Sequence, residues 1–93
     1  MEKIKAYIGF AKASRKAAFG QNTIEKTKNI AGIICSSDLS EKSVKNLKTK
    51  TKNLHIIDKK IYDKLELNTL AVAITDKTMM GAIQYELEKL GEK

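Results

Sequence analysis

The chain has 93 residues, 42% of them apolar, which suits one domain with a modest core and excludes an intrinsically disordered protein. Eighteen Lys and Arg against eleven Asp and Glu give a formal net charge of +7, which favours a polyanionic partner such as nucleic acid. No apolar run approaches the roughly 20 residues of a membrane span, no signal-peptide pattern is visible, and one cysteine excludes an internal disulfide; we expect a cytoplasmic protein.

The first third of the chain predicts helix, strand and helix in turn. Glu2 to Ala13 carries apolar side chains at helical spacing, and Ala17 to Phe19 reads as a short strand that leads into Gly20. Asn22 is a good N-cap, so we expect a second helix of about two turns from there to Asn29.

Continuous apolar runs then predict strands that are covered on both faces. The run from Ile30 to Cys35 is the first of these. The remaining predicted elements are a helix from the N-cap Ser40 to about Thr51, a strand at Leu54–Ile57, a helix capped by Asp58, a strand at Leu70–Ile74 and a last helix opened by Thr75 and Asp76. The inner stripe of that last helix is predicted to be Met79, Ile83, Leu87 and Leu90. This alternation predicts one α/β domain over residues 1–93, a three-layer α/β/α sandwich around a four-stranded mixed sheet.

The stretch from Gly20 to Lys28 is the best candidate for contact with nucleic acid. Gly20 lets the backbone approach a partner closely because it has no Cβ. Asn22 and Lys26 are four residues apart and share one helical face, so an amide able to read a base edge lies one turn from an ammonium able to neutralise a phosphate. The helix N-terminus also favours phosphate. A solvated helix start would have the same composition, so this stretch alone leaves both interpretations open.

Residues suited to catalysis are few. His55 and Cys35 are the only histidine and cysteine, and each lies within a predicted strand, where packing is the usual role. No zinc-ligand spacing or nucleotide-cofactor motif occurs, so we predict a protein that is not an enzyme and binds no cofactor or metal. Single-stranded RNA needs exposed aromatic platforms. The five aromatic residues are mostly explained as core, which favours structured RNA instead.

Several motifs, in order, resemble the L-seven-Ae / L-thirty-e ribosomal protein superfamily, and the bacterial YlxQ-type members in particular. They are Ile8-Gly9-Phe10-Ala11, Lys16, Gly20-x-Asn22-x-x-x-Lys26, an apolar strand ending near Ser37-Asp38, and Leu70-Ala71-Val72-Ala73-Ile74-Thr75-Asp76. The resemblance covers essentially the whole chain. It implies an α/β/α sandwich that binds kink-turn RNA, a sharply bent internal loop with sheared G·A pairs, in a ribonucleoprotein. Ribosomal RNA is then a candidate target, and ribosomal proteins are candidate partners.

The resemblance also implies roles for individual residues. Gly20 would approach the kink, Asn22 would contact a guanine of the sheared pairs, and Lys26 would reach a phosphate or base. Apolar residues between Leu65 and Leu70 would cover the splayed-out bases, with Val44 as a lining residue. The predicted RNA-binding residues are Gly20, Gln21, Asn22, Thr23, Lys26, Val44, Leu65, Leu67, Asn68, Thr69 and Leu70.

Four positions depart from the family pattern. Thr23 stands where many members have a glutamate that accepts from guanine, and Phe19 replaces a common lysine. Arg15 occupies a position that is often a turn glycine, so we expect an unfavourable φ or a rebuilt turn there. Glu66 places a negative charge in the loop that would face RNA. These departures predict a lower affinity or a shifted target on the same fold.

Two other functions fit the same sequence. One is a protein-interaction adaptor that keeps the fold and has lost kink-turn binding, which the residues at Thr23 and Phe19 favour. The other is the substrate-recognition domain of an RNA-modifying enzyme, which would need catalytic groups from elsewhere. A positive patch located away from Gly20 would favour the adaptor, and activity of the isolated protein would favour the enzyme.

Overall fold

The computed structural model describes residues 2–91, and along them five helices alternate with four strands. The elements are α1 (Glu2–Ala13), β1 (Ala17–Phe19), α2 (Gln21–Lys26), β2 (Gly32–Ser36), α3 (Glu41–Lys48), β3 (Leu54–Ile57), α4 (Lys59–Asp63), β4 (Ala71–Ile74) and α5 (Lys77–Gly91). The predicted alternation of helices and strands is confirmed.

The strands form a four-stranded mixed sheet, as predicted, and the structure gives their order as β1-β4-β2-β3. β4 is antiparallel to both of its neighbours, and β2 and β3 are parallel. Phe19 pairs with Val72, and Cys35 pairs with Ala71, so β1 and β2 both end where β4 begins. The connections before α2 and before β4 therefore meet at one end of the sheet.

Side chains that alternate along the buried strands define two core layers. Ile34, Val72 and Ile74 pack beneath α1, α4 and α5. Ile33 and Cys35 point to the opposite face and pack against Ile24 of α2 and Leu47 of α3. Every residue of β2 and β4 is buried, as the continuous apolar runs predict. The three-layer α/β/α arrangement follows from helices covering both faces.

Three helix boundaries, in α2 and α3, differ from the prediction. α2 is capped by the backbone of Gly20 without a side-chain hydrogen bond, so the predicted N-cap Asn22 lies inside the first turn. The same helix ends at Lys26 because Thr27 is extended, well before Asn29. In α3, Ser40 caps the helix as predicted by accepting from the Ser43 N–H, but the helix ends at Lys48 instead of Thr51.

The apolar patterns set the strand positions to within two residues. β2 begins at Gly32 instead of Ile30, and β4 begins at Ala71 instead of Leu70. In α5, Ile83 and Leu87 face the core as predicted, but the buried Met80 was missed. Met80 packs so closely on Gly32 that a Cβ there would lie 2.5 Å from its sulfur atom. That close approach depends on tertiary packing, so the spacing of apolar residues in α5 does not reveal it.

The turn after α1 is left-handed at Arg15, with φ of 60°. The Lys16 N–H reaches back to the Ala11 carbonyl at 2.7 Å, a helix-ending turn in which glycine is the usual residue. The unfavourable φ predicted for Arg15 is confirmed. Lys16 also donates to a carboxylate oxygen of Asp76 at 2.8 Å, which ties this turn to the start of α5.

Ile24 should be the main anchor of α2, because its side chain is fully buried between the helix and the sheet. Ile24→Ala should lower the free energy of unfolding by about 2–5 kcal/mol through lost burial and the cavity left behind. The matched control is Thr23→Ala on the exposed side of the same helix, expected within about 0.5 kcal/mol of the parent. Urea unfolding followed by circular dichroism measures both; equal losses would contradict the anchoring role.

Candidate nucleic-acid interface

The start of α2 and the loop before β4 lie side by side. We call residues 64–70 the α4–β4 loop. The Gly20 N–H donates to the Ala71 carbonyl at 3.0 Å, and the Ser36 N–H donates to the Leu70 carbonyl at 2.9 Å. A Cβ placed on Gly20 would lie 3.4 Å from the Thr69 Cγ2 atom. Two segments that are distant in sequence thus form one surface, here called the candidate interface.

The exposed side of α2 carries the polar residues that the sequence singled out. Asn22, Thr23 and Lys26 are exposed, and Ile24 alone turns inward. Among residues 2–91, no carboxylate lies within ion-pair distance of the Lys26 ammonium. Gln21 is half-buried, and its amide donates to Glu25 at 3.4 Å, so it is partly occupied within the helix. The structure therefore leaves one amide and one ammonium open to a ligand on the same face.

The α4–β4 loop contains the residues predicted to cover splayed-out bases. We call the solvent-accessible part of this set, residues 67–70, the lip. Leu70 is 41% exposed, Asn68 is exposed, and Leu67 and Thr69 are half-buried. The Thr69 hydroxyl donates to the Ala71 carbonyl at 3.0 Å, which fixes the side chain beside Gly20.

Leu65 does not belong to this lip. It is only 1% exposed and packs in the core with Tyr62, so it lies beneath the lip and is not part of its exposed surface. The reason is local: the turn of α4 continues one step beyond the helix, with the Leu65 N–H donating to the Tyr62 carbonyl at 2.9 Å. That turn directs Leu65 beneath the loop instead of out of it.

Val44 lines a different cleft from the other predicted residues. It is half-buried and lines a separate cleft of about 320 Å³ together with Leu39, Lys45 and Ile56, and none of the other predicted residues lines that cleft. The structure brings together Gly20, Asn22, Thr23, Lys26 and residues 67–70 at the candidate interface, whereas the cleft beside Val44 is lined by none of them.

A second feature, which we call the α1 cleft, adjoins the candidate interface and was missed in the sequence. It has a volume of about 350 Å³ and lies between α1, the end of β1 and the α4–β4 loop. Its lining residues are Lys5, Ile8, Gly9, Lys12, Phe19, Leu65, Glu66, Leu67, Asn68 and Thr69. Lys5, Ile8 and Lys12 share one helical face, a spacing that would have revealed a basic edge beside the apolar stripe.

Charges around the loop are partly paired. Glu66, in a left-handed conformation with φ of 55°, places its carboxylate 3.0 Å from the Lys5 ammonium. The negative charge that the sequence placed in this loop is therefore matched by a neighbouring cation. Both side chains remain largely exposed, so the pair contributes little to stability.

Burial disfavours the charged forms of three titratable side chains. Burial raises the pKa of the Cys35 thiol to about 11 and that of the Tyr62 hydroxyl to about 12. Burial also lowers the pKa of His55, which contacts Asn53 at 2.9 Å from the edge strand β3.

Among the described residues, no group of three or more His, Cys, Asp or Glu is placed to hold a metal ion. None of the helices described there has the length and apolar character to cross a membrane.

Comparison with known proteins supports the fold. No protein-family model matches the chain, and no curated protein matches it. Among solved structures, that of a protein with unknown function from Bacillus halodurans is similar to it, with a TM-score of 0.71 and 15% sequence identity. The match covers 89% of this chain and 94% of that chain. At this identity the likeness shows a shared α/β fold and carries no function.

Gly20 holds the candidate interface together through a backbone conformation that other residues rarely adopt, with φ of 89° and ψ of 148°. Gly20→Ala should cost about 1–3 kcal/mol in the free energy of unfolding because of this strain. Gly9→Ala is the control: a Cβ on this helical glycine meets open space, so we expect a gain of about 0.5–1 kcal/mol. Chemical denaturation of both variants distinguishes the effects, and a neutral Gly20→Ala would refute the strain.

Proposed function

We propose that this protein is a cytoplasmic, non-enzymatic RNA-binding protein that recognises a kink-turn or a similar sharply bent RNA, within the ribosome or another ribonucleoprotein. The L-seven-Ae / L-thirty-e superfamily resemblance supplies the target, and the candidate interface supplies the surface. Ribosomal proteins are the candidate protein partners. No cofactor or metal takes part in this function.

One observation carries the proposal: the exposed amide and ammonium of α2 stand beside a loop from a distant part of the chain that exposes the apolar side chain of Leu70. Gly20 lies against Thr69, Asn22 and Lys26 are exposed on the next turns, and Leu70 is exposed on the loop. A bent RNA presents both features that such a surface can use, an accessible base edge at the kink and unstacked bases beside it.

Electrostatics support the same site. Phosphate contacts supply most of the affinity of such proteins, and base contacts supply the specificity. Lys26 has no carboxylate partner among residues 2–91, so its charge is available to a phosphate without first breaking an ion pair. Glu25 lies next to it in the chain and Glu66 lies across the loop; these carboxylates disfavour a phosphate on their own side of the site.

Asn22→Ala tests base recognition. If the amide reads a base edge at the kink, its loss should cost about 1–3 kcal/mol, or roughly 5- to 150-fold in Kd, on a kinked RNA. A straight duplex of equal length lacks that base edge and should change little. Asn46→Ala removes an exposed amide from α3 and serves as the matched control. Fluorescence anisotropy titrations give the four Kd changes, and an equal loss on kinked and straight RNA would exclude base recognition by Asn22.

Lys26→Gln tests the phosphate contact. Removing one phosphate-neutralising charge should weaken kinked and straight RNA alike and reduce the slope of log K against log salt by about one. Lys77→Gln removes the same charge at the start of α5, which follows the end of β4 opposite the candidate interface. It should leave the slope unchanged. Equal salt slopes for the two variants would mean that RNA binding depends on the net charge of the protein and not on a phosphate contact at Lys26.

The second candidate function is the adaptor on the same fold, and one observation favours it. β3 is an edge strand, and its Ile56 is 50% exposed beside the cleft that contains Val44. An open edge with an apolar side chain is a surface that another protein can cover. Wild-type protein that binds kinked and straight RNA equally weakly, while Ile56→Lys abolishes association with a protein partner, would favour the adaptor.

A further inference from the structure

The α1 cleft combines an aromatic ring, an apolar floor and cationic edges. Phe19 is half-buried, with its side chain packed against the core layer of α1 and α5. Ile8 and Leu65 form the buried floor. Gly9 leaves open space where a side chain would otherwise fill the cleft. A volume of about 350 Å³ lies at the lower end of the roughly 300–1,000 Å³ typical of small-ligand sites.

The two lysines of the cleft are in different states. Lys5 is paired with Glu66, whereas no carboxylate among the described residues lies within ion-pair distance of Lys12. The Lys12 ammonium lies 5.8 Å from the centre of the Phe19 ring. An unpaired cation beside an aromatic face is the combination that binds a nucleotide, because the ring stacks on a base and the ammonium neutralises its phosphate.

We propose that the α1 cleft holds one unstacked nucleotide of the bound RNA, with its base on the Phe19 ring and its phosphate at Lys12. This inference rests on the proposed function. Phe19 directly precedes Gly20, and Thr69 both lines the cleft and lies against Gly20, so the cleft continues the candidate interface without a break. An RNA strand leaving the kink at Asn22 has a short path around Gly20 into the cleft.

Ligand entry requires only side-chain movement. The Lys12 side chain is exposed and flexible, so its ammonium can leave the ring face for a phosphate while a base takes that face. The Lys5–Glu66 pair at the rim is mostly exposed and weak.

The test pairs changes in the RNA with changes in the protein. Each unpaired nucleotide of a kinked RNA is replaced in turn by an abasic residue, and Kd is measured for wild type and for Phe19→Leu. At one position, the abasic residue should raise the Kd of the wild-type protein roughly tenfold. Phe19→Leu should raise the Kd for the intact RNA by the same factor. The two changes together should lose no more than either alone, because they remove the same contact.

Controls separate this inference from the proposed function. Phe10→Leu alters a 61% exposed aromatic of α1 that does not line the cleft, and it should bind every RNA like wild type. Lys12→Gln should reduce the salt slope by about one. The inference is overturned if no abasic position weakens wild-type binding, a measurement that does not depend on any variant folding. It is also overturned if Phe19→Leu and the abasic change weaken binding independently.

If the cleft inference is overturned but RNA binding still depends on Asn22 and on the kink, the proposed function stands. Wild-type protein that does not prefer kinked over straight RNA would overturn the proposed function, and the cleft inference with it.

Discussion

The hydrogen bond from Gly20 to the Ala71 carbonyl is the contact on which the candidate interface depends. It exists because β1 runs antiparallel to β4, which brings the end of β1 to the start of β4. A parallel pairing would have placed the start of α2 and the α4–β4 loop at opposite ends of the sheet. The φ of 89° at Gly20 then lets the chain turn directly from the strand into α2. Strand direction and one glycine therefore assemble a surface from segments far apart in sequence.

The layered fold leaves this end of the sheet as a natural place for binding. Helices cover both faces of the sheet, so the chain connections at its ends are where polar groups and backbone remain open to a partner. Lys16 is engaged with Asp76, and Lys5 with Glu66, whereas Lys12 and Lys26 flank the interface without a carboxylate partner among residues 2–91.

The sequence predicted the architecture well because local patterns determine it. The unbroken apolar runs of β2 and β4 are covered on both faces, as such runs indicate. Errors arose where tertiary contacts decide. The capping preference of asparagine favoured Asn22, but a glycine backbone made the turn at Gly20. Leu65 was assigned to the loop because no local signal shows that the turn of α4 continues through it. The α1 cleft was missed because its walls come from three separate segments.

The departure at Phe19 has a spatial counterpart. The family resemblance implies a lysine immediately before the glycine, and its loss in sequence suggests a weaker RNA site. In the folded chain, however, an ammonium is supplied to the same neighbourhood by Lys12 of α1, 5.8 Å from the Phe19 ring centre. Lys12 thus supplies a positive charge beside position 19, and Phe19 itself supplies an aromatic surface. In the sequence, Phe19 in place of a lysine favours weaker RNA binding. In the structure, the Lys12 ammonium lies close to the same position, and a phosphate is attracted by nearby charge whatever its place in the sequence.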